Sequence, residues 1–153
     1  MSDCAYIELD DVVQAFKSRT GEIRALGGVS FGIEAGEFVS VVGPSGCGKS
    51  TLLMLVAGLL KPSSGKVTVG GKAVVRPQTD IGIVFQRPVL MAWRNVLENV
   101  LIQIEMRRED NRGKYRSRAL SFLRDVGLEG FERLMPNQLS GGMQQRVAIC
   151  RAL

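Results

Sequence analysis

Lys49 and Ser50 close the run Gly43-Pro44-Ser45-Gly46-Cys47-Gly48-Lys49-Ser50, and they are the residues with the clearest chemical content in the chain. A cation and a hydroxyl at the end of a glycine-rich loop suit one task, which is holding a polyphosphate together with its magnesium ion. Glycines let successive backbone N–H groups curl inward around phosphate oxygens, and a helix starting where the loop ends adds its positive N-terminal end. The spacing is G-x-x-x-x-G-K-[ST], the phosphate-binding loop, and it lies between the apolar run Phe38-Val39-Ser40-Val41-Val42 and the helix-like Thr51-Leu52-Leu53-Met54-Leu55. In that chemistry Lys49 reaches the β- and γ-phosphates and the Ser50 hydroxyl takes a place on Mg²⁺. Without it, the stretch is an ordinary glycine-rich turn between a strand and a helix.

A second glycine pair, Gly141-Gly142, follows Ser140 at the start of the helix-like run Met143 to Leu153. By the same physics it is an anion-binding helix N-terminus; taken alone, it is equally a serine N-cap with a glycine turn. Gln86 stands at the end of the short apolar run Ile81-Gly82-Ile83-Val84-Phe85, ahead of Arg87-Pro88. A glutamine there is most simply a polar cap, and the proline favours an extended connector.

These residues need elements to hold them. Ala5 to Leu9 and Val12 to Phe16 alternate as half-buried strands, with a polar turn at Lys17 to Gly21; Ile23 to Leu26 and Val29 to Ile33 continue the pattern. Phe38 to Val42 reads as the strand that delivers the loop, and Lys49 to Leu60 as a helix apolar around most of its circumference, stopped at Lys61-Pro62. Lys66 to Val69 and Lys72 to Val75 flank a glycine turn as a hairpin, and Ile81 to Phe85 is a short buried strand. From Val96 the apolar spacing becomes helical: Val96, Leu97, Val100, Leu101 and Ile104 share one face. A second amphipathic helix, Lys114 to Val126, carries Ala119, Leu120, Leu123 and Val126 inward and ends at Gly127.

Composition narrows the class. A chain of 153 residues with 45% apolar content can bury one real core, and its longest apolar stretch, Leu52 to Leu60, is too short to span a bilayer. Met1-Ser2-Asp3-Cys4 has no basic leader, and Cys4, Cys47 and Cys150 have no metal-ligand spacing, so free thiols in a cytoplasmic setting are expected. The formal charge of +5 draws on Arg107, Arg108, Arg112, Lys114, Arg116 and Arg118, offset by Glu109 and Asp110. That cluster is read as a solvated helical surface or as a patch facing anionic lipid or RNA; only Tyr115 is interleaved, which weakens a nucleic-acid role. The chain has no histidine.

Together the loop, Gln86 and Leu139-Ser140-Gly141-Gly142-Met143 closely resemble the ATP-binding subunits of ABC transporters, over the whole chain. Gly43 to Ser50, continued by Thr51, matches the family's Walker A loop, Gln86 its Q-loop glutamine, and Leu139 to Met143 its signature sequence, with Met143 where glutamine is common. Phe16 stands where the family has an adenine-stacking aromatic; as a residue in its own right it is either core or platform. The stretch Leu90 to Val100, with Trp93, looks like the subgroup that energises uptake of nitrate, sulfonates or taurine, although Ala92 stands where that subgroup often has proline. Trp93 is also readable as a plain apolar anchor.

The resemblance implies an α/β fold, a P-loop NTPase core with an antiparallel β subdomain and a helical subdomain, divided as 1–86, 87–138 and 139–153. It implies ATP and Mg²⁺ as cofactors, with Lys49 and Gln86 catalytic and Ser50 and Gln86 at the metal. It implies a head-to-tail dimer in which Ser140, Gly141 and Gly142 of one copy close over the γ-phosphate held by the other. The remaining partners are membrane permease subunits at the cytoplasmic face of the inner membrane, with no nucleic acid expected. The alternatives are a DNA-repair-type ABC ATPase, whose long coiled-coil arms have no counterpart between Gln86 and Leu139, and another P-loop NTPase, such as a small-molecule kinase or GTPase. The family continues past the signature into a Walker B strand and a switch histidine, so this chain reads as an N-terminal fragment that exposes apolar surface and does not turn ATP over by itself.

Overall fold

The computed structural model describes residues 5–18, 21–107 and 112–153. Arg19 and Thr20 of the expected turn, Cys4, and Arg108, Glu109 and Asp110 of the charged cluster with Asn111 lie outside them. Two compact units divide the chain, residues 1–80 and 81–153.

The first unit is built on a four-stranded antiparallel sheet of order β2-β1-β3-β4. The two pairs of short strands expected at the start are instead two long ones, β1 (Ala5–Ser18) and β2 (Gly21–Glu34). Bulged irregularities absorb the breaks in alternation: the β1–β2 register shifts between Leu9 and Val12, where Asp11 has φ 44° and donates its N–H to Ser30 Oγ at 2.8 Å. β3 (Ser64–Val69) pairs with β1, and β4 is only Lys72–Ala73, shorter than the expected Lys72 to Val75. One face of this sheet buries Leu9, Val12, Leu26 and Val67 with Leu52 and Leu55 of helix α1 (Lys49–Val56).

Helix α1 corrects the expectation of a helix to Leu60 buried on several sides. Leu52 and Leu55 are its buried residues, while Leu53 is 62% and Leu59 45% exposed. The stop is Gly58, not Lys61-Pro62: at φ 72° Gly58 donates to Leu55 O and Leu59 donates to Met54 O, the paired bonds of a Schellman end. A side chain there would lie 2.2 Å from the Arg76 carbonyl, so only glycine fits.

Phe38 to Val42 and Ile81 to Phe85, both expected as strands, carry no strand ladder. A parallel strand forms only against a neighbour that presents its own N–H and C=O groups. Among the described residues none does so, and Phe38 is 94% and Val42 90% exposed.

The second unit packs helices α2 (Val96–Arg107), α3 (Arg112–Asp125) and α4 (Gly141–Ala152) around Val96, Leu97, Val100, Ala119, Leu123, Leu128, Val147 and Cys150. The expected inward faces are largely kept, except that Leu120 is 36% exposed, and Ile102 is buried without having been expected. Gly127 ends α3 as anticipated, with Leu128 N–H reaching back to Leu123 O at 2.7 Å. Helix α2 begins with a reciprocal capping box: Asn95 Oδ1 accepts from Glu98 N, and Glu98 Oε2 accepts from Asn95 N, both at 2.9 Å. Lys114, Arg116 and Arg118 are exposed on α3, and the Arg118 guanidinium lies 5.1 Å from the Phe122 ring centroid.

Candidate functional site

In the first unit the candidate residues Gly43 to Thr51 form one continuous loop and the first turn of α1. Two positive-φ glycines turn the loop, Gly46 at 82° and Gly48 at 92°. Gly48 is the N-cap of α1, and a side chain there would meet the Ala25 carbonyl of β2 at 2.3 Å. Its backbone therefore sits directly on the sheet, which places the helix N-terminus at the sheet's surface.

No side chain caps that N-terminus. The first N–H groups of a helix have no intrahelical partner, so they stay available to an acceptor from outside. Lys49 folds back across the loop instead: its Nζ donates to Gly43 O at 2.9 Å and Pro44 O at 2.8 Å, with Cys47 Sγ at 3.8 Å. The loop thus carries a positive charge held on its own carbonyls, above open amide donors. Ser50 and Ser45 are exposed, as is Cys47.

Phe16 lies near the end of β1, paired with Ile23 of β2. At 40% exposure, beside an Ile23 that is 59% exposed, it is no core residue.

The second unit holds Gln86 and Ser140 to Gly142. Ser140, at φ −65° and ψ 159°, is the N-cap of α4, and its Oγ accepts from Met143 N at 3.3 Å. Nothing stands within 4 Å of where a side chain would begin on Gly141 or Gly142, so the first turn of α4 is open. Gln144 anchors the approach to this turn by donating to Pro136 O at 2.8 Å and to Leu139 O at 3.3 Å. Gln86 is exposed and lies in a bend with Arg87, not at the end of a strand. Gln145 Nε2 of α4 donates to the carbonyl of the preceding residue, Phe85, at 3.1 Å, and Arg151 Nη1 donates to Val89 O. Burial lowers the Arg151 pKa, yet guanidinium stays charged at neutral pH. Burial raises the pKa of Cys150, with Asp125 adding to the rise, and so keeps it a neutral thiol.

Three residues escaped the sequence reading. Two of them, Gln145 and Arg151, touch the Gln86 segment only through tertiary packing. The third is Asn99, fully buried, whose Oδ1 accepts from Met91 N at 2.7 Å while Nδ2 donates to the carbonyls of Met91, Arg94 and Asn95 at 3.1, 2.9 and 3.0 Å. A polar residue between Val96, Leu97 and Val100 on an inward face was the available clue. Asn99 shapes the loop that presents Trp93, which is 73% exposed.

A glycine loop delivering a lysine to an uncapped helix on a β layer, with a separate helical unit whose last helix is led by Ser-Gly-Gly, defines a P-loop NTPase fold of the ATP-binding-cassette kind. The ABC transporter family model matches residues 26–153, and the chain belongs to that family. It is 44% identical over 147 residues to an uncharacterized ABC transporter ATP-binding protein of Methanocaldococcus jannaschii, covering 96% of this chain and 55% of that protein. It is 46% identical over 138 residues to the taurine import ATP-binding protein TauB of Burkholderia pseudomallei (90% of this chain, 53% of TauB). To the aliphatic sulfonates import ATP-binding protein SsuB of Bacillus thuringiensis it is 38% identical over 148 residues (96% and 57%). The chain therefore spans about half the length of the curated relatives it matches. Among solved structures, the dimeric post-hydrolysis state of the ATP-binding cassette MJ0796, bound to ADP and Pi, superposes with a TM-score of 0.87 at 40% identity, covering 96% of this chain and 68% of that one.

Proposed function

We propose that the chain is the nucleotide-binding part of the ATP-binding subunit of an ABC importer, which couples ATP binding and hydrolysis to uptake of a small anion such as nitrate, a sulfonate or taurine. The observation that carries this reading is the uncapped N-terminus of α1 beneath a glycine loop, with Lys49 parked on Gly43 O and Pro44 O. A polyphosphate supplies what both groups lack: acceptors for the open amides and a negative charge for the ammonium. The loop residues Gly43 to Thr51 are its cradle and Phe16 its exposed aromatic platform.

The donor set also fits magnesium. Among the described residues there is no group of three or more Cys, Asp or Glu side chains that could hold a metal ion. Mg²⁺ in nucleotide sites is held by one or two protein oxygens and by the phosphates themselves, and the exposed Ser50 hydroxyl is such a ligand. For Gln86, which belongs to the other unit, the proposed role at the metal rests on the family resemblance alone. Bound there, the ion would neutralise charge developing on the phosphates. Lys49 holds the same phosphates by charge.

Ser140, Gly141 and Gly142 are proposed to face the nucleotide of a second copy, in a head-to-tail dimer. The related MJ0796 cassette is a dimer with ADP and Pi bound, which supports that arrangement. Permease subunits at the cytoplasmic face of the membrane are the proposed further partners, with Trp93 as a contact. The names of TauB and SsuB support the choice of anion. We further propose that the chain binds Mg·ATP without turning it over. Calorimetric titration should give saturable Mg·ATP binding that Lys49→Ala removes; equal binding by both, or phosphate release at a catalytic rate, would defeat the proposal.

A further inference from the structure

The contacts of α4 with residues 82–89 have a direction. Gly82 packs so closely against the end of α4 that a side chain on it would lie 2.2 Å from the Ala152 carbonyl. Three residues later Phe85 O is held by Gln145, seven residues back along the helix from Ala152, and four residues further on Val89 O is held by Arg151. At 1.5 Å per helical residue, Ala152 to Gln145 is about 10 Å, which three extended residues just cover. The segment therefore runs along α4 toward its N-terminus, reverses, and returns. The reversal is the bend at Gln86 and Arg87.

We infer that Gln145 and Arg151 are positioning residues for Gln86, holding the two sides of its bend on helix α4 so that Gln86 and the Ser140–Gly142 N-terminus of that helix move as one body. Gln145 lies about 6 Å along the axis from the first residue of α4, so the bend is tied near the open glycine turn. Gln145 fixes the outgoing side one residue before Gln86, and Arg151 fixes the returning side just past Pro88. Without these ties the segment has no ladder of its own to hold it. The functional meaning of that tie rests on the proposed roles of Gln86 and the signature turn; the tie itself does not.

Backbone ¹⁵N relaxation of the chain reads the tie directly. Arg151→Met should lower the amide order parameters across residues 83–90, Pro88 excepted, from about 0.85 to below about 0.6, Arg151→Lys should restore part of the order, and amides of Leu97, Val100 and Leu123 should keep their values. Gln145→Ala should have a similar effect centred on Phe85 to Arg87, and it decides the matter if Arg151→Met fails to fold. Unchanged order at 83–90, or a uniform fall through the whole unit, overturns the inference. A second arm measures ATP turnover in the full-length protein. There the Gln145→Ala variant should lower kcat about tenfold while KM for ATP stays within about twofold, and an altered KM at constant kcat counts against positioning. Nucleotide titration with the Lys49→Ala control separates the two ideas. Loss of order at 83–90 with no nucleotide binding sinks the proposed function alone, and normal binding with unchanged order sinks this inference alone.

Discussion

The two glycine-led helix N-termini are built oppositely. At α4 the chain supplies its own cap, since Ser140 Oγ accepts from Met143 N and Gln144 ties down the preceding carbonyls. At α1 the cap position is Gly48, which has no side chain to offer, and the nearest charged group, Lys49, bonds to loop carbonyls on the other side. At the first end one N–H is satisfied by the chain's own serine, whereas at the second no side chain satisfies any. The contrast extends to the surroundings: Ser140 sits beside a packed helical core, and the loop follows the bare stretch Phe38 to Val42.

The sharpest way to break this contrast is at the loop. Lys49→Ala should weaken Mg·ATP binding by on the order of a hundredfold, about 3 kcal/mol, because a charge-assisted contact to phosphate is lost. Calorimetry measures it, and the same substitution should leave the melting temperature of the free chain nearly unchanged. Asn99→Leu should cost about 3 kcal/mol in chemical denaturation, since it strands the Met91 N–H and the Arg94 carbonyl and takes a second donor from the carbonyls of Met91 and Asn95. That loss should appear with or without nucleotide, in keeping with a unit that needs no ligand.

Ser140→Ala should cost about 1 kcal/mol and Ser140→Gly only a few tenths, read from denaturation midpoints; equal costs would remove the self-capping half of the comparison. The smallest effect concerns Cys150. Its folded pKa lies above the ordinary value of 9.0 because of burial, so its contribution to stability is complete below that value and is lost as pH rises through the folded one. The stability gap between the native chain and Cys150→Ala should therefore narrow as pH rises above about 9. Over the same range alkylation should reach the exposed Cys47 well before Cys150.

How much was legible in the residues varies with the range of the interaction. The phosphate-loop pattern, the Ser140 cap and the Gly127 helix end depend on neighbours a few positions away, and local backbone chemistry determined them in advance. Alternation in β1 and β2 was also readable, but not their continuity, because a bulge keeps a strand going through a break that a pattern treats as an end. Asn95 and Glu98 were a local capping box that went unread.

What only the tertiary structure decided lies where partners are distant in the chain. Phe38 to Val42 has the composition of a buried strand, yet a strand is a relation between two segments, and without a paired neighbour among the described residues this stretch forms no ladder and is exposed. Helix α1 ends at Gly58 because the Arg76 carbonyl leaves no room for a side chain there. Gln145 and Arg151 gain their contacts with Phe85 and Val89 across 60 and 62 residues. Local propensity carries no information about such meetings, since they arise only when the core has closed and brought one segment onto another.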